Sequence, residues 1–247
     1  NRERFQALAA EGYNRIPVIR EVLADLDTPL STYLKLAHGP CSFLFESVQG
    51  GEKWGRYSIL GLPARARLQG PDHVVRVFED GVEVECERVE DPLAWIEAFH
   101  GRYRVATDPD HPSLPRFNGG LVGYFGYDTI RYIEPRLRER RPVDDLGVPD
   151  ILLMVADEVL VFDNLGGRLF LMLQVDPGAA DAWSRAQNRL DELVRLLREG
   201  RTDYRSLHGR RRVDEADFQS NMTQAGFEQA VERIKAYIVA GDAMQVV

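Results

Sequence analysis

The chain has 247 residues, 44% of them hydrophobic and 28% charged, an ordinary globular composition large enough for one core or two small ones. Its net charge of -8 argues against a nucleic-acid or anionic-membrane surface, and no apolar stretch is long enough to span a bilayer. The two cysteines, Cys41 and Cys86, fit free thiols in a reducing compartment, and with no signal-like run after Asn1-Arg2-Glu3-Arg4 the chain is expected to be cytoplasmic.

Phe5 to Ala10 reads as a short helix stopped near Gly12, and Ile16 to Val22 as a strand. Thr28 can cap a helix with Pro29 in its first position, running through Leu30, Tyr33 and Leu34. Five strands crowd together next: Ser42 to Glu46, Tyr57 to Leu60, Ala64 to Leu68, Val74 to Phe78 and Val82 to Glu87. The last two flank Asp80-Gly81, a strong hairpin signal. Asp91 then caps a helix opened by Pro92.

A loop from Thr107 to Pro115 leads to Gly119-Gly120 and a strand from Leu121 to Phe125, with a short element from Thr129 to Ile133. Ile151 to Ala156 reads as a buried strand, and Val159 to Phe162 and Arg168 to Val175 as a hairpin around Asp163-Asn164-Leu165-Gly166-Gly167. A helix from about Ala179 to Leu197 sets Trp183, Ala186, Leu190, Leu193 and Leu197 on one face and stops at Gly200. Residues 201–219 are polar and rich in arginine, as expected of a linker between a domain over 1–200 and the start of another over 220–247. Phe227 to Ala240 reads as a helix ended by Gly241-Asp242, and Ala243-Met244-Gln245-Val246-Val247 as a strand just starting, as if the chain were cut from something longer. Many antiparallel strands with few helices make an α+β fold. The regular strand–helix alternation of a nucleotide-binding sheet is missing.

Two stretches can carry chemistry. In the first, the strand ending in Glu46 and Ser47 is followed by a glycine-punctuated loop and by Arg56, Tyr57 and Ser58 opening the next strand. If the two strand ends face each other, Glu46 can meet an ammonium, Arg56 a carboxylate, and Ser47 and Ser58 supply hydrogen bonds, a set that suits an amino-acid zwitterion. The plain alternative is a tight turn in which Glu46 and Arg56 pair with each other. The second stretch, Gly119 to Asp128, matches neither the dinucleotide fingerprint nor the phosphate loop. Its small residues among aromatics suggest a buried strand close to another backbone, with a local Asp128–Arg131 ion pair. The five histidines sit in no metal-ligand spacing, and no general base stands out.

The order of these pieces resembles the N-terminal half of anthranilate synthase component I. The matching stretches are Ile16 to Val18, Asp27 to Ser31, Phe43 to Ser47, Gly51 to Ser58, Gly119 to Tyr124 with Tyr127-Asp128, and Gly241 to Val247. The resemblance implies a two-lobed chorismate-utilising enzyme fold of packed antiparallel sheets. It implies conversion of chorismate, with ammonia from a glutamine amidotransferase subunit, to anthranilate and pyruvate, with Mg2+ bound beyond Val247. It also implies L-tryptophan as feedback inhibitor, with Ser47 at its main-chain groups, Glu46 beside its ammonium, and Arg56, Tyr57 and Ser58 on the facing strand. No catalytic residue carries over onto this chain. Aminodeoxychorismate synthase component I is the alternative family member, and a stand-alone amino-acid-sensing module is the alternative without catalysis.

Overall fold

The computed structural model describes residues 1–46, 55–107, 115–138, 143, 144, 146–200 and 213–247. The chain divides into two compact units, Asn1–Thr202 and Asp203–Val247.

The larger unit opens with α1 (Arg2–Ala10), which starts before Phe5 because the Asn1 side chain accepts from the Arg4 amide at 2.9 Å. Strand β1 (Ile16–Leu23) follows. Helix α2 (Pro29–Thr32) has the Thr28 cap read from the sequence, closed into a box by Ser31, and it continues as a π-helical turn over Tyr33–Ala37. Next come β2 (Phe43–Glu46), β3 (Tyr57–Gly61), β4 (Ala66–Gly70), β5 (Val74–Glu79) and β6 (Val82–Arg88). Between β5 and β6, Asp80 (φ 49°) and Gly81 (φ 83°) both take the left-handed conformation that a two-residue hairpin needs.

Asp91 caps α3 (Pro92–His100) through two amides. After β7 (Gly120–Phe125), the short element expected over Thr129 to Ile133 is a 3-10 turn (Tyr127–Thr129) running into α4 (Ile130–Ile133). Strands β8 (Ile151–Ala156), β9 (Glu158–Asp163) and β10 (Arg168–Val175) precede α5 (Ala182–Glu199). That helix begins three residues later than its pattern suggested, because Asp181 sits at φ 51° and breaks the run before Ala182.

All pairings within the two five-stranded sheets are antiparallel, so the fold is α+β. The first sheet has the order β1-β10-β9-β3-β2 and the second β6-β5-β4-β8-β7. Three apolar layers fix the stack. Phe5 and Leu8 of α1, with Ala186, Leu190 and Leu193 of α5, pack on Val18, Leu60, Leu160 and Leu171 of the first sheet. Phe43, Val161, Phe170 and Met172 on its other face meet Val122 and Ala156 of the second sheet. Ile96 and Phe99 of α3 cover Leu68, Val77 and Leu153 on the far side. Strands β9 and β10 are buried on both faces, which explains why they read as continuous apolar runs.

Two expectations are corrected. The strand over Leu121 to Phe125 is not buried but forms the edge of its sheet, with Phe125 exposed. Its glycine does lie against a neighbouring backbone, since a Cβ on Gly123 would meet the Leu152 carbonyl oxygen at 1.9 Å. The smaller unit carries a 3-10 turn (Glu215–Asp217) and α6 (Gln224–Ala240), capped by Thr223 and closed by Gly241 at φ 80°. Ala243 to Val247 form no strand, because extended backbone becomes one only where a neighbour closes its ladder, and no described strand pairs with them.

Candidate functional site

The β2 and β3 ends that carry the candidate residues do face each other. Antiparallel pairing sets Phe43 opposite Gly61, Leu44 opposite Leu60 and Glu46 directly opposite Ser58. A Cβ on Gly61 would lie 2.0 Å from the Phe43 ring, so glycine is what lets that ring cross the strand. Side chains alternate along a strand, so Glu46 and Ser58 share the face of Leu44 and Leu60, the helix-covered one. Tyr57 points the other way, into the layer between the sheets with Phe43 and Ile59. Glu46 is exposed and Ser58 is 3% exposed. Ser47 and the glycine-punctuated loop lie outside the described residues.

Arg56 does not pair with Glu46. It donates from Nε to Asp163 Oδ1 at 2.9 Å and from Nη2 to Asp163 Oδ2 at 2.7 Å, so its partner is the end of β9 and not Glu46. The cause is strand order: β3 lies between β2 and β9, and Tyr57 stands in register with Asp163. Asp163 is 4% exposed and also accepts from the Gly166 amide at 3.2 Å. The Arg56 hydrogen bonds, and to a lesser degree that amide, hold its carboxyl below the usual carboxylate range, while the same contact raises Arg56. The guanidinium carbon also sits 4.9 Å from the Tyr57 ring centroid.

Asn164 completes the arrangement. Its backbone N–H donates to the Arg56 carbonyl at 2.8 Å, and its Nδ2 donates to the Gly55 carbonyl at 3.3 Å and to Ser58 Oγ at 3.2 Å. The sequence marked Asp163 and Asn164 only as turn residues. The Asp-Asn pair before Leu165-Gly166-Gly167 was visible, but its meeting with β3, more than a hundred residues away, requires the β3–β9 pairing.

The arrangement offers a carboxylate, a buried hydroxyl and a guanidinium already neutralised by an aspartate, which suits a small zwitterion more than a free anion. A cleft of about 670 Å3 lies at the opposite end of the same sheet, between α5 and the end of β10. There Arg189 is bound to Glu158 and Glu192 at 2.8 and 2.7 Å, so its charges serve one another. Among the described residues no group of three or more His, Cys, Asp or Glu fits a metal ion, and no helix is long and apolar enough to cross a membrane.

Fold and strand-end cluster together define a two-sheet α+β domain with a polar site at one sheet edge. The sequence family of chorismate binding enzymes matches residues 45–247, and the chain belongs to that family. It is 56% identical to anthranilate synthase component 1 of Pseudomonas putida and 46% identical to that of Neisseria meningitidis, in each case over 100% of this chain. It covers 50% and 49% of those proteins, so the chain spans about half the length of the curated relatives it matches. It is also similar, at TM-score 0.48 and 21% identity, to the crystal structure of anthranilate synthase component I from Streptococcus pneumoniae, over 90% of this chain and 46% of that one.

Proposed function

We propose that this chain is the N-terminal part of an anthranilate synthase large subunit, in which the β2–β3 end binds L-tryptophan as feedback inhibitor. The observation that carries the reading is the 56% identity to a component 1 protein across the whole chain. The whole enzyme adds ammonia, delivered from glutamine by an amidotransferase subunit, to the chorismate ring with loss of the ring hydroxyl as water, and then eliminates pyruvate. On the resemblance to component 1 proteins, we assign the metal and the proton transfers to the part of the enzyme beyond Val247. What this segment supplies is regulation. Glu46 faces the inhibitor's ammonium, Ser47 and Ser58 bond its main-chain groups, and Arg56 and Tyr57 border the strand end.

The test is turnover by the full-length protein with chorismate and ammonia. Anthranilate, aminated ortho to the carboxylate, supports the reading, and a para-aminated product overturns it in favour of the folate-type enzyme. Titration with tryptophan tests the site: Ser47→Ala is expected to raise the half-inhibitory concentration about tenfold or more, the loss of one or two hydrogen bonds. Superimposable inhibition curves for the two proteins end the assignment of Ser47.

A further inference from the structure

The Asn164 amide fixes the hydrogen-bond direction at Ser58. A carbonyl oxygen only accepts, so the Asn164 group that faces Gly55 O at 3.3 Å is the NH2. That same NH2 faces Ser58 Oγ at 3.2 Å, so the serine oxygen is the acceptor in this bond. Ser58 cannot return its hydrogen to a group that is itself a donor. The hydrogen is left for another acceptor, and at 3% exposure a bond it makes is stronger than in water. Opposite it in register stands Glu46, which when ionised accepts only. The strand end thus presents a donor beside an acceptor, the complement of a zwitterion's carboxylate and ammonium.

We propose that Asn164 is a positioning residue of this site, turning the Ser58 hydroxyl so that it donates to the carboxylate of the bound amino acid. The inference rests on the reading of the β2–β3 end as a tryptophan site and adds the device that sets its polarity. Asn164 does not touch the ligand; it acts through Ser58. Asp163 plays the parallel part for Arg56, holding Nε and Nη2.

The experiment is a double-mutant cycle in the full-length protein, with tryptophan affinity read by calorimetry and folding checked by melting temperature. Asn164→Asp is nearly isosteric but replaces the donor with an acceptor, which would take the Ser58 hydrogen for itself. It is expected to weaken tryptophan binding about tenfold, as is Ser58→Ala, since each removes about one hydrogen bond to a charged group. The double variant is expected to bind no worse than Ser58→Ala alone, because both changes act at one hydroxyl. A merely structural role for Asn164 would give additive losses, and additivity overturns the proposal, as does wild-type affinity in Asn164→Asp. Wild-type affinity in Ser58→Ala overturns the site at Ser58 and the proposal with it, so the two failures are distinguishable. If the new carboxylate unfolds the turn, Asn164→Ala, which keeps the backbone bond to Arg56, carries the same expectation.

Discussion

Arg56 and Arg65 grip their aspartates in the same way. Each donates from Nε at 2.9 Å and from Nη2 at 2.7 or 2.6 Å, and each aspartate stands at the turn of a β-hairpin. The surroundings differ. Asp163 is buried and also accepts from the Gly166 amide, while the Arg65 and Asp80 side chains are 77% and 60% exposed. The hairpin at Asp80-Gly81 is made by its backbone, with both residues left-handed, and the ion pair decorates it. The turn after β9 is instead tied to the start of β3, through Asp163 and through Asn164. Identical contact geometry therefore carries different weight, and burial decides which pair matters.

The largest effect expected from this contrast is at Asp163. Asp163→Ala leaves the Gly166 amide and the Arg56 guanidinium without their acceptor, and it is expected to cost about 2 kcal/mol, read by denaturant titration. Because Arg56 is 38% exposed and can turn to water, the loss should stay below the 3–5 kcal/mol typical of a fully buried orphaned charge. An Asp163→Ala protein as stable as wild type would remove the distinction. Next comes Gly81→Ala. Nothing lies within 4 Å of the added Cβ, so the cost is that of a left-handed alanine alone, about 1–2 kcal/mol. That loss would show that the backbone, and not the Arg65–Asp80 pair, holds the exposed hairpin.

The same contrast marks where the sequence is legible. Features set within a few residues were readable: the Thr28 and Asp91 caps, the Asp80-Gly81 turn, and the buried α5 face of Ala186, Leu190 and Leu193. The α+β class followed from counting such elements. Features set by partners far along the chain were not. Arg56 has Glu46 ten residues away as its obvious partner, yet the strand order gives it Asp163. The apolar run Ala243 to Val247 looks like a strand, but it has no partner among the described residues. The π-helical turn at Tyr33–Ala37 carries no pattern that separates it from an ordinary helix. At the candidate site, the facing of Glu46 and Ser58 was foreseeable from two strands joined by a loop. Asn164, which orients that hydroxyl, became visible only with β9 in place.

Acid should separate the two pairs as well. Asp163 is held below the ordinary carboxylate range by Arg56 and the Gly166 amide, so it adds stability at every pH above the unfolded value of about 3.9. That addition disappears as pH falls through the lower folded value. The stability gap between wild type and Asp163→Ala is therefore expected to be full at pH 7 and to shrink below about pH 4, read by melting at stepped pH. A gap that widens in acid would mean that the carboxylate is not the group at work.

The smallest effect is expected at Asp80. Its carboxyl is also lowered, first by the Arg65 hydrogen bonds, but both partners stand in solvent, where water replaces each contact and salt screens the charges. Asp80→Asn keeps a residue tolerant of the left-handed conformation while removing the charge. It is expected to leave the melting temperature within replicate scatter at moderate salt. At low salt a small decrease is expected, and added salt should abolish it. A decrease as large as that of Asp163→Ala, persisting at high salt, would mean that the bidentate geometry itself stabilises the turn and that burial does not rank the two pairs.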